Sequence, residues 1–407
     1  MRTSIAIVAS CLTTMILSAG CATAQPAASN TDWREAEAGI LRNHVQLTFD
    51  DMYVKAGEAY FSPDARWIIF QAVPQPPEGE QAQTFYSMYV AKLKRDDNGA
   101  ITGIEDPIEV SNPGSANTCG FFHPTEPGRI IFGSTITSPV EGPDAGYQRG
   151  SNDYRWAFPE QMEVVSMVVP EIATDAARHQ PVASTPALLP TAGDQLPTPL
   201  WEREGYDAEC AYSPDGRFIV HTQVDPETRD PDLFVFDMQT GESTPVVEMT
   251  GYDGGPFFSA DGRRITYRSD RRGDDLLQLF VLDFLVVDGP NGQPTIELFE
   301  HQLTSNQHVN WAPYWHPSGR YLVYTTSEVS HRNYEVFAID APYYGKAQPR
   351  IMPRKRRLTF AEGFDGMPVF STDGGLMMWT SQRGGVDAGQ ERPSSQVWIA
   401  EVVNTSP

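Results

Sequence analysis

The chain has 407 residues, 40% of them hydrophobic and 11% aromatic, which is ample for a large core in one large domain or two ordinary ones. Its 30 Lys and Arg against 53 Asp and Glu leave a formal net charge of −23, which disfavours binding to nucleic acid or anionic lipid through a general positive field. A cationic partner, metal ions or simple solubility suits such a charge better.

The first segment, MRTSIAIVASCLTTMILSAGCATAQ, has a basic Arg2, an apolar run to about Ala19 and small residues before a polar tail, the pattern of an export signal. Two cleavage readings compete. LSAGC resembles a bacterial lipobox that would put lipid on Cys21, although Leu17 lies one place further from the cysteine than usual. Ala22 to Ala24 makes an ordinary small-x-small site before Gln25. Either way residues 1–24 are read as signal and 25–40 as a tether, with the mature chain periplasmic or anchored to the outer membrane. Cys119 and Cys210 remain in the mature chain, and export permits a disulfide between them; two small buried thiols are the plainer reading.

RNHVQLT (Arg42 to Thr48) opens the folded part as a strand, and six similar units follow. In order they are AYFSPDARWIIFQA, GFFHPTEPGRIIFGS, CAYSPDGRFIVHTQ, PFFSADGRRITYRS, PYWHPSGRYLVYTT and PVFSTDGGLMMWTS, anchored at Pro63, Pro124, Pro214, Ala260, Pro317 and Thr372. Each has an aromatic residue, a Ser/His-Pro-Asp-Gly-like turn and a strand. Pro presets the turn, Asp or Ser bonds to local amides and Gly takes the positive φ. The apolar pairs after each turn, from Ile68 and Phe70 to Met377 and Trp379, alternate with the period of a strand. Further strands follow within units, as in DLFVFD (Asp232 to Asp237), and no amphipathic helix of core length is evident.

The units read as four-stranded blades of an all-β, six-bladed propeller over 41–403, with a tail at 404–407. The last unit stops at its third strand, so the strand at about Arg42–Thr48 is expected to complete it and close the ring. The second unit carries an insertion over about 135–200. Its first part contains Tyr147, Arg149, Tyr154, Trp156 and Phe158, a mix enriched at interfaces; it is the leading candidate for partner contact, the alternative being a lid folded on the blade edge. Its second part, Ala173 to Pro199, is Ala/Pro/Thr-rich and reads as a flexible loop.

The turn motif and its repetition resemble the TolB-like six-bladed β-propellers with WD-repeat-like units. The resemblance implies a protein-binding or scaffolding role in the cell envelope, with an envelope protein or peptide as partner and a monomeric chain. No helical N-terminal domain of the TolB type fits before Leu41.

Motifs for catalysis are missing: there is no Gly-x-Ser-x-Gly elbow, phosphate loop, dinucleotide fingerprint or His-Glu-x-x-His helix. His123 and His316 occupy the Ser position of their turns and are read as caps, and His221 as a core residue; only His308 and His331 fall in loops suited to a ligand. In register, Asn117, Asp207, Asp253, Asn310 and Asp365 recur at the start of the inner strands, with Ala56 in the first unit. They would form a ring near one mouth of the channel, either as a polar site for a divalent cation or cationic group, or as caps of local loops. Trp311 stands beside this ring, placed to stack on a ligand or to plug the channel. No cofactor is implied. The expectation is therefore a non-catalytic binding module; the alternative is a metal-dependent carbohydrate lyase or hydrolase acting at the channel mouth.

Overall fold

The computed structural model describes residues 32–139, 146–149, 154–157, 159, 161–179, 196–288, 294–341, 352–386 and 392–407. A short helix α1 (Trp33–Glu37) precedes strand β1 (Leu41–Gln46). Blade one holds β2 (Tyr53–Phe61), β3 (Trp67–Pro74), β4 (Ser87–Arg95), β5 (Ile101–Ile104) and β6 (Ile108–Glu109). Blade two begins with β7 (Asn117–Phe122) and β8 (Arg129–Ser134). After these comes a hairpin of β9 (Gly146–Arg149) and β10 (Tyr154–Ala157). The blade resumes with β11 (Glu163–Val168), helix α2 (Pro170–His179) and β12 (Thr198–Pro199). Blade three is β13 (Tyr206–Tyr212), β14 (Phe218–Val224), β15 (Pro231–Asp237) and β16 (Glu242–Val247). Blade four is β17 (Asp253–Phe258), β18 (Arg264–Ser269), β19 (Gln278–Asp288) and β20 (Pro294–Gln302). Blade five is β21 (Asn310–Trp315), β22 (Tyr321–Ser330), β23 (Asn333–Asp340) and β24 (Lys355–Arg357). Blade six is β25 (Asp365–Phe370), β26 (Leu376–Ser381) and β27 (Gln396–Val402), with β1 as its outer strand.

The six-bladed, all-β propeller expected from the repeat is the fold. Its closure is also as expected: β1 pairs antiparallel with β27, Leu41 opposite Val402 and Gln46 opposite Trp398, so the last sheet joins both ends of the propeller. The alternating apolar residues of each second strand are the core between blades; Ile68, Phe70, Ile130, Phe132, Ile265, Tyr267, Leu322, Tyr324 and Met377 are each 0% exposed. The turns are built as their composition suggests. Ser213 Oγ donates to Asp215 (2.6 Å) and accepts from the amide of Phe218 (2.9 Å), and Ser62, Ser259 and Ser371 repeat the arrangement. His123 and His316 replace that hydroxyl with a ring nitrogen: Nδ1 of His123 accepts from Glu126 N (2.9 Å), and Nδ1 of His316 from Ser318 N (3.1 Å).

Four expectations are corrected. The propeller unit begins at Trp33, not Leu41, because α1 packs Trp33 and Glu37 onto blade six. The tail is docked too, Thr405 being buried with Oγ1 2.7 Å from the Tyr321 hydroxyl. The Ala-rich start of the supposed loop is helical: α2 opens on Pro170, which presets the first turn, and buries Asp175 against blade one. There the Asp175 carboxylate accepts from Lys92 (2.7 Å) and Trp67 Nε1 (3.2 Å) and pairs with Arg66 (2.7 Å). Finally, Cys119 and Cys210 are both free thiols. A bulge in β7 turns Cys119 toward the axis, whereas Cys210 packs between blades with Ile131, Val164 and Ile219. Cys21 lies outside the described residues, as do the whole proposed signal and the first part of the tether, 25–31.

Candidate functional site

Every inner strand breaks register at the same place. Five positions before the turn anchors stand Glu58, Cys119, Glu209, Gly255, Ala312 and Met367. All six have left-handed backbone, φ running from 47° at Glu58 to 60° at Gly255. Each falls inside a register shift between the inner strand and its neighbour. Such a bulge puts two residues opposite one and re-aims a side chain that regular pleating would send elsewhere. Here the new direction is the channel. Only glycine takes that backbone without cost, yet blades one and three carry Glu there and blade two Cys. Glycine stands in blade four because a Cβ at 255 would collide with Arg268 Nη1.

These side chains wall a cavity of about 780 Å³ on the propeller axis. Its floor is made of aromatic rings two positions beyond the bulges. Tyr60 meets Phe121 (5.7 Å between centroids) and Phe257 (5.5 Å), and Phe257 meets Tyr314 (5.1 Å). They fill the channel from four blades, so the plug is Tyr60 and its neighbours. Trp311 instead lines the cavity, packed on Phe364 with centroids 6.0 Å apart.

The wall holds a buried polar cluster. Glu209 accepts hydrogen bonds from the Tyr252 hydroxyl (2.8 Å), the Gly255 amide (2.6 Å), Thr222 Oγ1 (3.0 Å) and Arg268 Nη2 (3.3 Å). Its oxygens are committed within the protein. Glu58 has less support: Oε1 accepts from Cys119 Sγ (3.0 Å) and weakly from Tyr60 OH (3.4 Å). Burial pushes the Glu58 carboxyl up and the Glu209 charge adds to this, while the Cys119 hydrogen bond and Arg268 pull the other way. Burial also holds the Cys119 thiol well above its ordinary range, which makes it a neutral donor and not a nucleophile.

Of the expected mouth ring, only Asn117 lines the cavity, and its amide is spent on the Tyr86 (2.9 Å) and Ser115 (3.0 Å) carbonyls. The other four turn into their blades. Asp207 is held by Arg203 (3.1 Å) and lies 3.5 Å from His221, whose own pKa burial pushes down to about 3. Asp253 meets Arg271 (3.3 Å), and Asp365 meets Arg383 (2.6 Å) and Trp379 Nε1 (3.2 Å). Asn310 binds the Leu277 and His308 carbonyls (3.2 and 3.0 Å). His308 stays in its loop outside the cavity, while His331 lines it. Among the described residues no group of three or more His, Cys, Asp or Glu side chains is arranged to hold a metal ion.

In the insertion, β9 and β10 set Tyr147 opposite Trp156 and Arg149 opposite Tyr154; Phe158 lies outside the described residues. Pro159 and Met162, where this excursion returns to blade two, line the cavity. Glu58, Glu209 and Arg268 were missed by a reading that assumed regular pleating. The repeat does contain a signal: eight positions after the anchor blades three, five and six have Thr222, Thr325 and Thr380, and blade four has Arg268.

The strand order defines a six-bladed β-propeller with a polar-walled, aromatic-floored cavity on its axis. Similar solved structures include a putative TolB from Agrobacterium tumefaciens, 14% identical over 85% of this chain and 90% of that one, with a TM-score of 0.46. TolB from Acinetobacter baumannii is 14% identical over 85% of this chain and 65% of that one, at a TM-score of 0.49. An oligogalacturonate lyase from Vibrio parahaemolyticus is 10% identical over 88% and 93%, at 0.45. No family model matches the chain, and no curated protein matches it. No helix of the described residues is long and apolar enough to cross a membrane.

Proposed function

We propose that this chain is an exported, non-catalytic binding module of the cell envelope whose axial cavity receives a segment of a partner protein. The observation that carries this reading is the cavity's make-up. Its wall is built from residues that depart from the repeat, Glu58, Cys119, Glu209 and Arg268, on a scaffold whose repeated residues bond to their own blades. Residues that only build blades would have no reason to differ at the one place where all six face each other. The insertion supports the same reading, since its hairpin is rooted at the cavity through Pro159 and Met162. Export rests on the signal-like segment before Gln25.

The enzyme reading has no observation in its favour: it needs convergent metal ligands at the mouth, and the acidic residues expected there are engaged by Arg203, Arg271 and Arg383. The binding reading is tested with a photo-crosslinking phenylalanine analogue in place of Phe85, which lines the cavity, and of Val286, which is 44% exposed on β19. A partner band from position 85 and none from 286 is expected in envelope preparations; equal labelling from both positions would overturn it.

A further inference from the structure

The cavity reverses the charge of the molecule that contains it. Over the whole chain acidic residues outnumber basic ones 53 to 30, yet among the described residues the cavity is lined by Lys55, Arg268, Arg332 and Arg392 against Glu58 and Glu209. Arg268 and Glu209 pair with each other (3.3 Å), so the excess of basic groups in this lining lies with the other residues. That excess is concentrated at the rim. Arg332 stands on the connection between β22 and β23, and Arg392 on the segment leading into β27, so they rise from neighbouring blades five and six. Both are exposed, and among the described residues neither has an ion-pair partner. Lys55 continues the arc into blade one, with its ammonium 4.4 Å from the centre of the Tyr86 ring. Below this rim lie apolar faces, Trp311 on Phe364 and then Phe257 and Tyr314, suited to side chains rather than to a solvated ion.

We propose that the segment received by the cavity is an acidic peptide, its carboxylates held at the rim by Arg332 and Arg392 and its apolar side chains packed on Trp311. This rests on the preceding reading of the cavity as the site for a partner segment. Guanidinium groups bind carboxylates through paired, planar hydrogen bonds, and two of them on adjacent blades can grip two carboxylates or one from both sides. The net charge of −23 does not forbid such a ligand, because at physiological salt charges beyond roughly 8 Å are largely screened and the rim groups decide at contact. Nor does Glu58 oppose it strongly. The groups that face Glu58 are Cys119, Tyr60, Tyr86, Arg268 and Glu209, and their combined effect with burial favours its neutral form.

The test is calorimetric titration of the whole chain with the peptide acetyl-Ala-Glu-Leu-Glu-Phe-Ala, its C-terminal amide, and an amidated version with both Glu replaced by Gln. Binding of the acidic peptide is expected, with the amidated Gln version at least tenfold weaker, about 1.4 kcal/mol. The double variant Arg332→Gln/Arg392→Gln should lose the same factor for the acidic peptide at an unchanged melting temperature. Loss on amidation alone would place the recognised carboxylate at the C-terminus, and retention would place it on the Glu side chains; both support the proposal. Equal binding of the charged and uncharged peptides, or an unchanged affinity in the double variant, overturns it while leaving the cavity as a peptide site. If no peptide binds, the acidic-segment proposal fails; if the crosslink from position 85 also fails, the cavity reading falls with it.

Discussion

Ala65 holds a left-handed backbone, φ 50°, at a turn position where Gly216, Gly262, Gly319 and Gly374 hold 66° to 75°. A Cβ in that region costs roughly 1–2 kcal/mol, part of which glycine gives back through the greater freedom of its unfolded chain. Ala65→Gly is therefore expected to stabilise the protein by about 0.5–1 kcal/mol in urea denaturation. A loss of stability would show that the turn draws something from the methyl group. The same kind of reasoning reaches the turn serines and the two histidines that replace them, whose roles follow from composition because a turn's chemistry is local. It does not reach Glu58, Cys119 or Glu209. Their direction depends on a bulge that shifts pairing with the next strand, and pairing is a property of two strands at once. A period of two, carried through the bulge, points instead to the positions two places earlier, those of the expected ring Asn117, Asp207, Asp253, Asn310 and Asp365, and all of these but Asn117 sit inside their blades.

Ring closure depends on α1 and β1 more than their length suggests. Glu37 accepts from Arg383 through both oxygens (3.0 and 3.2 Å), from the Phe360 amide (2.8 Å), and lies 2.8 Å from His44 Nε2. Arg383 in turn holds Asp365 and packs its guanidinium 4.2 Å from the ring centre of Trp33 and 4.9 Å from that of Trp379. All three charged side chains are almost fully buried. Burial alone would raise the Glu37 carboxyl, but the His44 and Arg383 contacts win and lower it. A lowered acid contributes stability above its ordinary pKa and loses it as the pH falls through the folded value. Glu37→Gln should therefore cost about 3 kcal/mol at neutral pH, because Arg383 is left with one buried partner in place of two. A loss below about 1 kcal/mol would mean that the closing strand is held by β1 pairing alone. The closure itself was legible, since the last unit lacked a strand and the front of the chain offered one. The clamp was not, because Glu37 and Arg383 are far apart in sequence and Glu37 stands before the first repeat, although Arg383 shares its place in the repeat with Arg271, which holds Asp253 in the same way. Helix α2 was hidden for a related reason: its Ala-rich stretch reads as a loop until Asp175 finds Arg66 and Lys92 on blade one.

At the scale of the whole molecule, several buried and half-buried acids share one direction. Burial raises Glu335 to about 8, with the charge of Asp365 adding to it, and raises Glu163 and Asp253 to about 7. At these groups the folded state therefore binds protons more tightly than the unfolded chain. Stability from these groups is complete below the ordinary carboxylate range and is lost as the pH rises through about 7 to 8. Self-repulsion at a net charge of −23 acts in the same sense. The melting temperature should fall by at least about 4 °C between pH 5 and pH 8, and by less in Glu335→Gln. A melting temperature that rises over this interval would contradict the account. The six-bladed ring was readable from the turn motif because each blade repeats its local chemistry. The cavity was not readable, because it exists only where six blades meet and is lined by the positions at which they differ. The measurement that bears most directly on the cavity as binding site is the crosslink from position 85, made in the native background and in Ala312→Phe. That substitution fills the cavity from a bulge position whose backbone, φ 49°, already carries a side chain. The partner band should be lost in Ala312→Phe at an unchanged melting temperature; a band of equal strength in both backgrounds would contradict the assignment.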